Sequence, residues 1–185
     1  MRSSKALIVA GTLLGVAAAW APAPTRSQSA VIDGCRDEVG PGGRDDVRAL
    51  RQALERGVLY ETMVRRAGAP TGCRAYRPAE TALEVAYAFG ASASLAGRID
   101  PVLELSQQSL RGAAMPRAEA EALLKAAVAR DAAGCSMVWD QSAREAASAS
   151  GGTADLVFRG TACNCQGRIT LRDAAAIGVA FGSAC

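Results

Sequence analysis

No histidine occurs among the 185 residues. That absence excludes Ser-His-Asp and Cys-His catalysis, imidazole zinc sites and c-type haem attachment together. Aromatic residues make up only 4% of the chain, so Ala, Val and Leu must fill any core. An excess of positive charge is missing as well. The 21 Lys and Arg outnumber the 18 Asp and Glu, but Arg2, Lys5 and Arg26 precede the first acidic residue, Asp33. From Ala30 onward the two signs balance, so nothing displaces counterions from a phosphate backbone and nucleic-acid binding is not expected. Phosphate-cradling glycine patterns, G-x-S-x-G and C-x₂-C pairs are likewise absent. No cofactor and no metal site is therefore expected.

What is present begins with a leader. Arg2 and Lys5 form a positive n-region, and Ala6 to Ala19 is small or apolar throughout apart from Thr12. This is the pattern of a secretory signal peptide. Cleavage is expected after Ala19, at the small-x-small run Ala17-Ala18-Ala19, or after Ser29. Residues 1–29 are thus read as a signal peptide plus a Pro/Ser linker, and 30–185 as one disulfide-bonded domain. The competing reading is an uncleaved anchor; an apolar run from Ala6 to Ala23 is near the lower limit for crossing a bilayer, and Pro22 weakens it. After cleavage no membrane association is expected.

All six cysteines, Cys35, Cys73, Cys135, Cys163, Cys165 and Cys185, follow the leader. An even number of thiols behind a signal peptide implies a disulfide framework in an oxidising compartment, here the periplasm, the cell surface or the medium. The sequence leaves the pairing open, except that Cys185 is expected to bridge Cys35, Cys73 or Cys135, since a distant partner closes the longer loop. Cys163-Asn164-Cys165 is the most distinctive local motif. It is either a labile exchange pair or two halves of separate structural bridges, and the second reading is preferred because four other cysteines are available as partners.

Periodicity leads to a mainly α fold: one small disulfide-stapled domain of five or six helices, with one short strand near 155–159. Val47, Leu50, Leu54, Val58 and Met63 make an amphipathic stripe from Asp45 to before Gly68. Further helices are predicted from Pro78 through Phe89, from the Asp100-Pro101 cap to about Arg111, from Pro116 to Gly134, over Ser136–Ala147, and from a capping box at Thr170 to Phe181. A faint echo runs through the chain. Cys73 precedes Phe89-Gly90, and Cys165 precedes Phe181-Gly182, by the same sixteen residues.

For chemistry the carboxylates remain. Glu80 and Glu84, four apart, are the weak catalytic candidates, placed by this reading on one helix face. A glycosidase needs two carboxylates facing each other across a cleft. The reading that follows is an exported, non-enzymatic protein that binds or assembles with a partner, a protein or a surface polysaccharide. The alternative is an exported enzyme: a cell-wall polysaccharide hydrolase using a Glu, or a thiol–disulfide exchanger using Cys163 and Cys165.

Overall fold

Among the described residues, alternation at period two is commoner than helical periodicity. A computed structural model describes residues 30–32, 34–103, 105–132, 135, 137–138, 146–147, 152–160 and 164–184. In chain order it has β1 (Ala30–Ile32), β2 (Cys35–Asp37), α1 (Arg44–Glu55), α2 (Val58–Ala67), β3 (Gly72–Tyr76), β4 (Leu83–Phe89), β5 (Ala93–Asp100), β6 (Leu105–Pro116), α3 (Arg117–Asp131), β7 (Met137–Val138), β8 (Ala146–Ala147), β9 (Thr153–Gly160), β10 (Gln166–Arg172) and β11 (Ala175–Ala184). The strands form one mixed sheet in the order β1-β2-β3-β4-β5-β6-β11-β10-β9-β7, with β8 also on β9. Only the β2/β3 pair is parallel among the described pairs. The expected all-α fold of five or six helices is therefore corrected to a sheet with three α-helices among the described residues.

The reason is visible in β4. Leu83, Val85, Tyr87 and Phe89 are buried and the residues between them are not, which is a half-buried strand. Ala86 and Ala88 imitate a helix because alanine favours helices, yet here they are the small residues of the other face. The predicted 100–111 helix fails similarly. Asp100 does cap a turn, its Oδ1 accepting from the N–H groups of Val102 (3.2 Å) and Leu103 (3.3 Å), but that turn joins β5 to β6. The predicted capping box at Thr170 is instead the start of a tight hairpin. Arg172 pairs with Ala175, and the two loop residues Asp173 and Ala174 have φ of 50° and 63°. Both lie in the left-handed region that such two-residue turns require. A bulge at Ile177, between the pairs Leu171↔Ala176 and Thr170↔Gly178, disguises the alternation of β11. Of the expected 136–147 helix, the described residues are the short strands β7 and β8; the rest lies outside them.

Helical signals succeed where helices stand alone. Asp45 and Asp46 occupy the first turn of α1, and Val47, Leu50 and Leu54 are its buried stripe. The stripe does not continue unbroken to Met63: Gly57 separates α1 from α2. The α2 N-terminus lacks a side-chain cap of its own and takes one from a distance, the Val58 N–H donating to Asp131 Oδ2 at 2.8 Å. Arg130 completes that clamp by donating to the Arg56 carbonyl (2.7 Å) and pairing with Glu61 (3.1 Å). The end of α3 thus locks the α1–α2 corner.

All three helices cover one face. Leu54 of α1 packs onto Gly97 of β5, and Gly57 approaches both Gln108 of β6 and Asp131 of α3. Register puts Gly97, Gln108 and Phe181 in one row on that face. The adjacent row, Tyr87, Leu95, Leu110, Val179, Ile169 and Leu156, is buried from β4 to β9 and forms the spine of the core. Gly112 (φ +74°) is required for a different reason: a Cβ there would sit 2.0 Å from the Ser92 carbonyl oxygen.

Two disulfides staple this layer. Cys35 joins Cys73, tying β2 to β3 around α1 and α2, and Cys135 joins Cys165, tying the exit of α3 to the entry of β10. Loops closed over sequence separations of 38 and 30 residues restrict the unfolded chain by about 4 kcal/mol each in the loop-closure account. The sequence echo has a counterpart here. Each of Cys73 and Cys165 opens an antiparallel pair whose second strand carries a buried Phe, and each bridges a cysteine upstream. The three partners expected for Cys185 are all engaged elsewhere, which corrects that expectation. Cys163 and Cys185 themselves lie outside the described residues.

Candidate functional site

The face opposite the helices carries a trough of about 600 Å³. Its construction follows from register. One row across the sheet is Arg74, Ala86, Ala96, Ser109, Ala180 and Arg168. The next is Tyr76, Glu84, Arg98, Gln107, Gly182 and Gln166, and on the other side lie Ser94, Arg111 and Gly178. Strands alternate, so each of these side chains points away from the core. The middle of the floor is therefore Ala, Ser and Gly, while long polar side chains stand around it. Burial of the helix face decides which residues are small and which are aliphatic; the open face is free to be polar.

The charges in the lining are three guanidiniums, Arg98, Arg111 and Arg168, against one carboxylate, Glu84. Arg168 has a partner outside the lining, Asp155 at 3.8 Å. Asp155 is also held by the Thr170 hydroxyl, which donates to it at 2.7 Å. Arg98 and Arg111 have no ion-pair partner among the described residues, and Arg98 Nε is buried without a hydrogen-bond acceptor there. At the β3 end, the Tyr76 hydroxyl donates to Glu84, and the Arg74 guanidinium lies 4.7 Å from the centre of the Tyr76 ring. The hydrogen bond to Glu84 holds the Tyr76 phenol above its usual pKa, and burial adds to it, while Arg74 and Arg111 pull the other way.

A second polar cluster sits on the helix side. Arg51 Nε donates to the Tyr87 hydroxyl at 3.1 Å, and that hydroxyl donates to Glu55, four residues along α1 from Arg51. The Tyr60 ring meets Tyr87 edge-on at 5.2 Å. Burial pushes the Tyr87 phenol far above its usual range, Glu55 reinforces the shift and Arg51 opposes it. Cation and anion neutralise each other here, so the cluster is a strut between α1 and β4.

Of the sequence candidates, Glu84 is in the trough and Glu80 is exposed in the bend before β4, so the two share no face. The pairing of Glu80 with Glu84 on a helix is corrected accordingly. Glu84 is the single carboxylate of the lining, so no second one faces it across the trough among the described residues. Cys165, half of the suggested exchange pair, is bonded to Cys135 rather than to Cys163. Among the described residues no three His, Cys, Asp or Glu side chains cluster as metal ligands would, and no helix is long and apolar enough to cross a membrane. The sequence points to Arg168 only as a cation near Cys163 and Cys165, and to neither Arg98 nor Arg111 as a site residue. The available signal was the alternation Ser94-x-Ala96-x-Arg98 and Gln107-x-Ser109-x-Arg111, polar or small at every second residue.

Comparison of the chain with protein-family models, with curated proteins and with solved structures finds no match.

Proposed function

We propose that the protein is an exported binding protein that holds its partner on the open face of the sheet. The observation that carries this reading is the trough itself: helices cover one face, while the other offers a polar cavity lined by three guanidiniums, two of which, Arg98 and Arg111, lack ion-pair partners among the described residues. Arg98 Nε is a desolvated, unpaired donor, costly in isolation and favourable when a ligand supplies an acceptor. Export rests on the leader pattern, and two disulfides are compatible with an oxidising compartment. Hydrolysis by a carboxylate pair draws no support from a lining that holds Glu84 alone.

The test uses the full chain produced in a host that exports it. Intact mass of the recovered protein should show loss of residues 1–19 or 1–29. Immobilised wild type should retain a component of cell-envelope extract, whose chemistry is then determined, and Ser109→Trp, which fills the floor of the trough, should retain none while melting like wild type. Unprocessed chain in the cytoplasm, or equal retention by both proteins, would contradict the proposal.

A further inference from the structure

We infer that the occupant of the trough is an acidic polysaccharide, a chain of hydroxyl-rich sugars bearing carboxylates at intervals. The inference rests on the binding reading above and names its ligand class.

Charge comes first. Arg98 and Arg111 are without ion-pair partners among the described residues, and Arg168 has only the longer 3.8 Å contact to Asp155. A guanidinium is planar, always charged and matched to a carboxylate by two parallel hydrogen bonds. Register spreads the three anchors apart. Arg98 is opposite Gln107, four residues from Arg111 along the strand, and Arg168 stands two strands beyond β6. With ordinary strand rise and spacing, the Cα separations are about 14 Å for Arg98–Arg111, about 12 Å for Arg111–Arg168 and about 16 Å for Arg98–Arg168. Anchors distributed in this way suit single charges repeated along an extended ligand better than one compact, multiply charged group.

The remaining lining separates a sugar chain from an acidic protein. Protein partners bind through aromatic and aliphatic anchors that need apolar pockets. This trough supplies none: its apolar side chains are alanines, the Phe181 ring is buried on the helix side, and one face of the Tyr76 ring is taken by Arg74. What it does supply, between the guanidiniums, is hydroxyls and amides, the complement of sugar hydroxyls.

The experiment titrates the exported protein with a defined oligogalacturonate, its neutral methyl ester, polyglutamate of matched charge, and inorganic phosphate. The expected result is binding of the oligogalacturonate that weakens with salt. Arg98→Gln and Arg111→Gln should each weaken it about ten-fold or more, the loss of a charge-assisted hydrogen bond. Arg98→Lys, which keeps the charge but not the fork, should fall between, with all variants melting as wild type does. Equal binding of the methyl ester would overturn the role of charge. Equal or tighter binding of polyglutamate would assign the trough to an acidic protein, and displacement by millimolar phosphate to a compact anion. If no probe binds while wild type, but not Ser109→Trp, still retains envelope material, the inference falls and the binding reading stands. If that retention is lost as well, both fall.

Discussion

Replacing Gly97 by alanine tests the packing that defines the covered face. A Cβ at position 97 would lie 2.6 and 2.8 Å from Leu54 Cδ2 and Cδ1, and 2.8 Å from Leu54 Cγ. Leu54 is fully buried, and because its Cγ is also too close, turning the end of the side chain does not clear the contact. Either α1 or β5 must move, an overpacking cost of about 1–3 kcal/mol. The sign is diagnostic, since alanine otherwise stabilises a strand interior by about 0.5–1 kcal/mol over glycine. At roughly 2–4 °C per kcal/mol for a chain of this size, the melting temperature should drop by about 2–12 °C. Leu54→Ala alone should cost about 2–5 kcal/mol through the cavity it leaves. In the double variant the new methyl group enters that cavity, so the two losses should fall short of their sum by about 1–3 kcal/mol. Urea unfolding followed by circular dichroism measures all four corners of the cycle. A stabilised Gly97→Ala, or losses that add within about 0.5 kcal/mol, would refute the close approach of α1 to β5.

Three further outcomes are expected. Because burial raises the Tyr87 pKa in the folded state, its contribution to stability is complete below the unfolded value near pH 10 and is lost as pH rises beyond it, by about 1.4 kcal/mol per pH unit; urea melts at pH 9 and 11 should show this slope, reduced in Tyr87→Phe, and an equal slope in both would contradict it. Ala174→Gly relieves a left-handed alanine (φ 63°) and should raise unfolding free energy by about 0.5–1 kcal/mol despite the added chain entropy, whereas a loss of stability would show that the turn is not of this type. Peptide mapping of the unreduced protein should recover Cys35–Cys73 and Cys135–Cys165.

Legibility followed locality. The stripe of α1, the α3 helix opening after Pro116 and the strand at Leu156-Val157-Phe158 each carry their signal within a dozen residues, and each is present. The sheet interior misled because its open face is built from small residues. In β4 the sequence Leu83-Glu84-Val85-Ala86-Tyr87-Ala88-Phe89 satisfies period two fully, yet picking Leu83, Val85, Ala86 and Phe89 from it also satisfies a helix. In β11 a single bulge shifts the phase. The trough was less legible still. Arg98, Arg111 and Arg168 stand on three strands, and only the pairing of β6 with β11, across some 70 residues of chain, brings them to one face. The helical spacing of Glu80 and Glu84 does not exist in the fold, and Glu84 lies in the trough through strand alternation.

The central claim is that the open face, and not the helices or a sheet edge, is the binding surface. Backbone amide chemical shifts of the isotope-labelled exported protein, recorded as oligogalacturonate is added, test it most directly. The account predicts saturable shifts concentrated at residues 84–86, 94–98, 107–111, 166–168 and 180–183, and their disappearance in Arg98→Gln. Shifts centred on α1 to α3 or on β1, or no shifts at all at millimolar ligand, would contradict it.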